Sequence, residues 1–407
     1  MGEPMPTTRA SSWITAKRLR AHGIILALAM WSVYAWNMAA PGFFDRAGNF
    51  KGTDFLHLYT LGSLALAHRG ADLYNLPAQS KLATQRIPAA AGIRYLPLYP
   101  PQVSLFFAPF ARLPYQQALL LWLSLSAILY GLCCYAIWRA CLNLSNHEST
   151  VLILALAFPA FWHLIAWGQT SALALACFTL TFFALRAKRE SLAGFALGCL
   201  MFKPQLGLAA AIVFLITLRW KMIAGALTSA SAELLAAWLY YGSGPILEWT
   251  RTLRNVPAML WLLEPRIYQT HSLRTFWSML IPWPTTSLAL YLVSAVLVSA
   301  LTIACWRGRT PLSLRFSALL LATVLIAPHL TVYDLVILAP AFLLLSDSIL
   351  APPDFLEAPQ LKLLLYLAFV LPLSGPLARW THVQLSVPVM TAVLYLIWKI
   401  RRQPTPV

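Results

Sequence analysis

The sequence predicts an all-α integral membrane protein, a bundle of about twelve transmembrane helices of about 20 residues each. Composition is the first observation: 59% of the 407 residues are hydrophobic and only 11% are charged, whereas soluble proteins are about one quarter charged. The second is a succession of apolar runs that provides enough residues for that many spans. The third is that Lys and Arg gather in short clusters between those runs, which is typical of cytoplasmic loops.

The net charge of +17 does not indicate nucleic-acid binding, although basic surfaces attract phosphates. Much of the positive charge separates one apolar run from the next, so the membrane topology explains it. The clusters are Lys17, Arg18 and Arg20; Arg186, Lys188 and Arg189; Arg219 and Lys221; Arg307, Arg309 and Arg315; and Lys399, Arg401 and Arg402. We therefore expect membrane lipids around the protein and no nucleic-acid partner.

The whole chain, 1–407, is interpreted as a single polytopic domain without internal repeats. The first apolar run, about 22–41, follows a basic cluster and is interpreted as a retained signal-anchor. The segments 42–115 and 242–285 hold too many charges, glycines and prolines to cross a bilayer, so they are predicted to be outer loops. Both termini are then cytoplasmic, and the expected location is the inner (plasma) membrane.

The first outer loop is predicted to contain an interfacial helix over 54–69. Its apolar residues recur on one side, although Leu61 and Leu64 interrupt the polar face. Tyr74, Tyr95 and Tyr99 would then line the edge of this helix as interfacial anchors.

Polar and ionisable residues beside apolar spans are costly and usually functional. In the predicted topology they gather at the outer ends of the spans: Asp54, His163, Gly168, Gln169, Lys203, His329 and Asp334. Because chance would scatter them over both faces, this clustering predicts a single site that faces the periplasm or exterior. Lys203 with Pro204 also breaks the segment 191–218 into two short apolar runs.

Each of these residues also has a purely structural interpretation. Asp54 could cap a helix, since a carboxylate accepts hydrogen bonds from free N–H groups. Lys203 could extend its ammonium to the membrane surface, and His329 could be an ordinary turn residue. His329 and Asp334 also fit the His-x4-Asp pattern of glycerolipid acyltransferases, a spacing that arises readily by chance.

Taken in order, the motifs resemble those of glycosyltransferase family 87, GT-C-fold enzymes that include polyprenyl-phosphate-mannose-dependent α-mannosyltransferases. The resemblance extends from about residue 50 to 345. It is carried by GTDF with Asp54, Gly70-Ala71-Asp72-Leu73-Tyr74, Tyr99-Pro100-Pro101, the Pro109 segment, Gly168-Gln169, Lys203-Pro204, and Pro328-His329 followed by Tyr333-Asp334. Thr270-His271-Ser272 departs from the Asn-Gln-Ser stretch of some members, so the resemblance does not identify the acceptor.

The resemblance implies a hexosyltransferase that takes its sugar, mannose in some members, from a polyprenyl-phosphate donor and passes it to a lipid or glycan acceptor. Asp54 matches the catalytic base of the family, and Lys203 and His329 match elements that face the donor phosphate. Further substrate-binding candidates are His57, Tyr99, Gln169, Gln205, His271, Arg274 and Asp334. No metal site and no cofactor is expected, and the lipid-linked sugar is a co-substrate.

These residue types suit that chemistry. A carboxylate can deprotonate an acceptor hydroxyl as it attacks the anomeric carbon, and cationic side chains can offset the charge on the leaving phosphate. One displacement inverts the anomeric centre. Because sugar nucleotides are cytoplasmic, an outward-facing site implies a lipid-linked donor.

A transporter or lipid-linked-sugar flippase is the main alternative. Such proteins hold their polar groups near the bilayer midplane, often between inverted repeats, whereas this chain places them at one face and has no repeat. A structural partner in an envelope-assembly complex is a further alternative, but it leaves the Asp, Lys and His cluster unexplained.

Overall fold

The computed structural model describes residues 14–259, 264, 266–351 and 358–401, and the regular secondary structure in these ranges is helical. Two isolated β-bridges are present and no sheet is formed in the described ranges, which confirms the all-α class. The helices are α1 Ala16–Met38, α2 Thr53–Leu66, α3 Leu76–Arg86, α4 Gln102–Phe107, α5 Tyr115–Ala140, α6 Glu148–Leu156, α7 Pro159–Trp167, α8 Ser171–Arg186, α9 Glu190–Gly198, α10 Leu208–Ile216, α11 Trp220–Tyr241, α12 Gly244–Asn255, α13 Leu273–Leu280, α14 Pro284–Arg307, α15 Leu312–Ile326, α16 Ala339–Leu350, α17 Ala358–Val370, α18 Gly375–Thr381 and α19 Ser386–Ile400.

Six helical segments are long and apolar enough to cross a membrane, and a pair bent by 45° adds a seventh. They are Ala16–Met38, Tyr115–Ala140, Trp220–Tyr241, Pro284–Arg307, Val332–Leu350, Ala358–Thr381 and the bent pair Ser145–Leu156 with Pro159–Trp167. The other predicted spans correspond to shorter apolar helices of 10–17 residues, which extend only about 15–26 Å against a hydrocarbon core of about 30 Å. The multi-pass character is therefore confirmed, and the count of twelve stays a prediction.

The centre of the bundle is formed by α15 and the 3₁₀ segment Val332–Leu338. Every residue from Phe316 to Ile326 is buried, and so is every residue of that 3₁₀ segment. Both segments are therefore enclosed by other helices, and Asp334 within the second is buried with its partner Lys203. The turn between them, 327–331, is thereby held rigidly at one end of the bundle.

The helix predicted over 54–69 is present as α2, but its interfacial position is wrong. All residues from Phe55 to Ala65 are buried, so protein covers the helix on every side. Leu61 and Leu64, which interrupt the supposed polar face, lie in the core beside Leu73 and explain the difference. An interfacial helix keeps one polar face in water, and α2 has none.

The three tyrosines predicted at the edge of α2 do lie against it. Tyr95 stacks on His57 with ring centroids 5.0 Å apart, and Tyr99 lies 5.7 Å from the same ring. Tyr74 donates a hydrogen bond of 3.0 Å to the carbonyl of Tyr99. Each ring packs between α2 and other residues of the first long loop, and together they attach α2 to the rest of that loop.

Two of the predicted cytoplasmic clusters, together with Glu190 beside a third, meet at the bundle end opposite this loop. Arg219 pairs with Glu190 at 2.6 Å, Arg307 donates to the carbonyl of Ile216 at 3.3 Å, and Arg315 lies 5.0 Å from the ring centroid of Trp306. The structure thus places these loops together, as the topology requires. Arg402 of the last cluster lies outside the described residues.

We expect the end that carries these basic clusters to be cytoplasmic. A reporter that is active only in the cytoplasm, fused after Val407, should therefore be active, while the same reporter inserted in 42–115 or 242–285 should be silent. Activity after Val407 of a reporter that works only in the periplasm would invert the orientation and overturn the prediction.

Candidate functional site

Asp54 lies in the first turn of α2 and does not cap it. The helix begins after Gly52, a left-handed residue with φ of 65°. Because this N-cap residue is a glycine, the first turn has no side-chain cap. The Asp54 carboxylate instead accepts a hydrogen bond of 2.5 Å from the side-chain amide of Gln169. The capping interpretation of Asp54 therefore fails, and the carboxylate faces another part of the chain.

The orientation of the Gln169 amide is fixed by its other atom. Its Oε1 accepts from the Tyr99 hydroxyl, from the Lys203 ammonium and from the backbone N–H of Thr170, each at 3.2 Å. A flipped amide would point its NH₂ group at three donors. The NH₂ group is thereby held toward Asp54, with one carboxylate oxygen engaged.

Gly168 brings Gln169 close to α2. It has φ of 70°, and a Cβ there would lie 2.8 Å from the Cβ of Phe55, so a side chain would push the turn away from α2. Its carbonyl accepts a hydrogen bond of 2.9 Å from the Trp122 indole. The turn between α7 and α8 is thus built for close approach to the start of α2.

Lys203 and Asp334 form a buried ion pair behind Gln169. Their charged atoms are 2.8 Å apart, and their side chains are 7% and 3% exposed. The ammonium also donates to Gln169 and, at 3.1 Å, to the Ser171 hydroxyl, so its three N–H groups are all engaged. Lys203 does not extend to the membrane surface. A direct contact with a phosphate would require it to release one of these partners.

Asp334 is held as firmly as its partner. One oxygen also accepts a hydrogen bond of 2.5 Å from Ser171. The other accepts from the backbone N–H of Thr331 at 3.2 Å, which caps the 3₁₀ segment Val332–Leu338. Asp334 therefore supports the structure, and Asp54 is the half-buried carboxylate of this cluster.

A second charged group, formed by Glu264, Arg274 and His329, lies at the 327–331 turn. Glu264 accepts from the Arg274 guanidinium and forms a 2.7 Å hydrogen bond with Nδ1 of His329. Arg274 also donates to the carbonyl of Pro328. Burial alone would raise the pKa of Glu264, but the hydrogen bond with His329 and the charge of Arg274 outweigh it and lower that pKa below its ordinary value.

The environment adjusts the acidity of Asp54. Burial raises its pKa to about 6, although the hydrogen bond from Gln169 and the charges of Lys203 and His329 oppose the shift. A carboxyl with such a pKa is mostly ionised at neutral pH and accepts a proton more readily than an ordinary aspartate.

Two of the predicted substrate-binding residues lie apart from the hydrogen-bonded cluster. His271 is buried and bonds through Nδ1 to the Ser386 hydroxyl at 2.7 Å; burial lowers its pKa to about 3, so it is neutral. Gln205 is half-buried two residues beyond Lys203 and makes no hydrogen bond to a described residue of the cluster. His57 contacts the cluster only through the ring of Tyr99.

The acyltransferase pattern is not realised. His329 bonds to Glu264, whereas Asp334 binds Lys203 and Ser171. The histidine and the aspartate of the His-x4-Asp spacing therefore bind different partners and do not form a catalytic pair.

Two residues of the site, Glu264 and Ser171, escaped the sequence analysis although they bind directly to predicted residues. So did Glu233, which lies within the apolar helix α11 and accepts from Gln102 at 3.2 Å, apart from the site. The sequence signal for the two glutamates is the small number of acidic residues, only 13 of 407. A carboxylate near an apolar span is therefore a candidate functional residue for that reason alone. Ser171 gave no such signal.

The family model for Glycosyltransferase family 87 matches residues 98–328, more than half of the chain. The chain belongs to this family. No curated protein and no solved structure matches it. With its candidate spans, the protein is a membrane-embedded glycosyltransferase of family 87, which decides against the transporter and structural-partner alternatives.

The family match covers part of the site. Tyr99, Gln169, Lys203 and Arg274 lie within the matched residues, whereas Asp54 precedes them and His329 and Asp334 follow them. Membership therefore supports sugar transfer from a donor to an acceptor. The roles of individual residues depend on the geometry.

Proposed function

We propose that this family 87 enzyme transfers a hexosyl group from a polyprenyl-phosphate sugar to a lipid or glycan acceptor, at the outer face of the inner membrane. The environment of the Asp54 carboxylate is the observation that carries the proposal. It is a half-buried carboxylate with one oxygen held by Gln169, and the other has no hydrogen-bond partner among the described residues. A general base needs such an accessible oxygen.

The reaction is a single inverting displacement. The acceptor hydroxyl gives its proton to Asp54 while its oxygen bonds to the anomeric carbon, and the bond from that carbon to the phosphate oxygen breaks. The polyprenyl monophosphate leaves with the bonding electron pair. A β-linked donor then gives an α-linked product.

The charged residues around Asp54 serve this displacement in different ways. The buried Lys203 holds Gln169 in position and adds positive potential. His329 and Arg274 are more exposed, with side chains 20% and 16% accessible, and they suit direct contact with a phosphate. Asp54 lies within electrostatic reach of Lys203 and His329, and this combination of a base with basic side chains supports a phosphate-linked donor.

The proposal is tested by radiolabelled transfer in membranes. Membranes that contain the wild-type protein should move label from a polyprenyl-phosphate hexose to an endogenous acceptor, and membranes from a deletion strain should not. Equal transfer in both would remove the proposed donor. Sugar identity is then read from a panel of labelled donors, and acceptor identity from the labelled product.

Transfer should depend on pH through Asp54. Since the base works only when ionised, kcat/KM should rise about tenfold per pH unit below the pKa and level off above it, with a midpoint of about 6 set by burial. The residual activity of Asp54→Asn should not show this rise with pH. A wild-type profile that is flat between pH 5 and 7 would contradict the assignment.

A further inference from the structure

Glu264 is a buried carboxylate in contact with two basic side chains of the site, the Arg274 guanidinium and the His329 imidazole, and the proposed reaction assigns it no role. Its side chain is 4% exposed, against 16% for Arg274 and 20% for His329. The carboxylate therefore lies beneath the guanidinium and the imidazole. The contacts leave Nε2 of His329 and part of the Arg274 guanidinium on the more accessible side.

Each carboxylate oxygen of Glu264 has a partner of its own. Oε1 meets Nδ1 of His329 at 2.7 Å, and Oε2 accepts from Nη2 of Arg274. A carboxylate that accepts from Nδ1 fixes both the tautomer and the plane of an imidazole, and it leaves Nε2 to interact elsewhere.

A purely structural role for Glu264 would be to tie the second long loop to the 327–331 turn. Other bonds already do this. The backbone N–H of His271 donates to the carbonyl of Leu330 at 3.1 Å, and Thr270 and Thr331 form an antiparallel bridge. Arg274 itself reaches the carbonyl of Pro328. The loop is therefore attached without Glu264, whose own contacts hold side chains.

We propose that Glu264 is a positioning residue that holds His329 and Arg274 in the geometry needed to bind a lipid-linked monophosphate. The inference rests on the proposed polyprenyl-phosphate donor. Without the Glu264 carboxylate both basic side chains remain, but each gains rotamer freedom that must be lost again on binding. The chemistry recognised is a phosphate monoanion or dianion, for which a guanidinium and an imidazole are suitable donors.

The test is a double-mutant cycle on the purified protein, with Glu264→Gln, His329→Asn and both together. Binding of a synthetic polyprenyl monophosphate is measured directly, apart from transfer. Glu264→Gln should weaken this binding and the donor kcat/KM by about 10- to 100-fold, by analogy with carboxylates that orient metal-binding imidazoles. The KM for the acceptor should stay near that of the wild type.

The cycle separates a positioning role from a structural one. Because Glu264 also holds Arg274, the double variant should bind more weakly than His329→Asn alone, but by less than the loss that Glu264→Gln causes when His329 is present. Glu264→Asp should recover part of the binding. Glu248→Gln is the matched control, since Glu248 lies in the same loop and pairs with Arg251 at an exposed position. It should bind as the wild type does.

Two results would overturn the inference: unchanged lipid-phosphate binding in Glu264→Gln, or effects that add fully with those of His329→Asn. A wild-type protein that does not bind the polyprenyl monophosphate would also overturn it. A protein that binds this lipid through Glu264 yet transfers no sugar from it would leave the inference standing and remove the proposed function.

Discussion

Asp54→Asn is expected to lower sugar transfer by about 10²- to 10⁴-fold, the usual contribution of a positioned acid or base. The amide keeps the shape of the side chain and an oxygen that accepts from Gln169, which now donates at 2.5 Å. It removes the proton acceptor. Membrane abundance and thermal stability in detergent should therefore stay near wild type, while transfer from a labelled donor falls.

The control for this change is Asp72→Asn. Asp72 lies in the same long loop and pairs with Arg69 at 2.7 Å, with side chains 26% and 39% exposed. Because exposed pairs contribute only about 0–1 kcal/mol, we expect little loss of stability and full transfer. Retention of more than about a tenth of wild-type transfer in Asp54→Asn would remove the catalytic assignment. Asp334 would then be the next candidate, and Asp72 also if its variant loses transfer.

Asp54→Glu distinguishes a base from a simple negative charge. The added methylene displaces the carboxylate by about an ångström, and such misplacement can cost about 10²-fold in rate. A charge that merely raised the local potential would tolerate this shift. We therefore expect Glu at position 54 to recover little of the transfer that Asn loses.

The charged core of the site could be predicted because of where its residues lie along the chain. Asp54, Gln169, Lys203 and Asp334 each stand beside an apolar run, and alternating spans bring every second turn to the same face. Polar groups at those turns must either meet one another or remain costly. The structure joins all of them by hydrogen bonds or an ion pair.

The details of pairing could not be predicted in the same way. Gln169 is predicted to bind substrate, and the structure adds a contact that the sequence did not indicate: its amide donates to Asp54. Glu264 lies in a long loop without periodicity, and nothing in the sequence indicates that it reaches His329, 65 positions away. Composition also gave no way to distinguish an interfacial helix from one buried in protein, since both require apolar residues, and α2 was misplaced for that reason.

Lys203→Met is expected to destabilise the protein and to slow transfer. It leaves Asp334 charged, 3% exposed and without its counter-ion, and such a loss from a buried pair costs about 3–5 kcal/mol. Thermal unfolding in detergent should show this directly. Arg219→Met is the matched control: its pair with Glu190 is 35% and 30% exposed at the other end of the bundle, so we expect a small loss of stability and normal transfer.

The double variant Lys203→Met with Asp334→Asn separates the two effects of Lys203. Neutralising Asp334 removes the unpaired buried charge, so much of the lost stability should return. Transfer should not, because Gln169 still lacks the ammonium that bonds to Oε1 at 3.2 Å and the donor phosphate still lacks its positive potential. A charge-assisted contact is worth about 1.5–3 kcal/mol, so donor kcat/KM should remain about 10- to 150-fold below wild type. The KM for the donor should rise more than that for the acceptor. A double variant with normal stability and normal transfer would show that Lys203 does no more than neutralise Asp334.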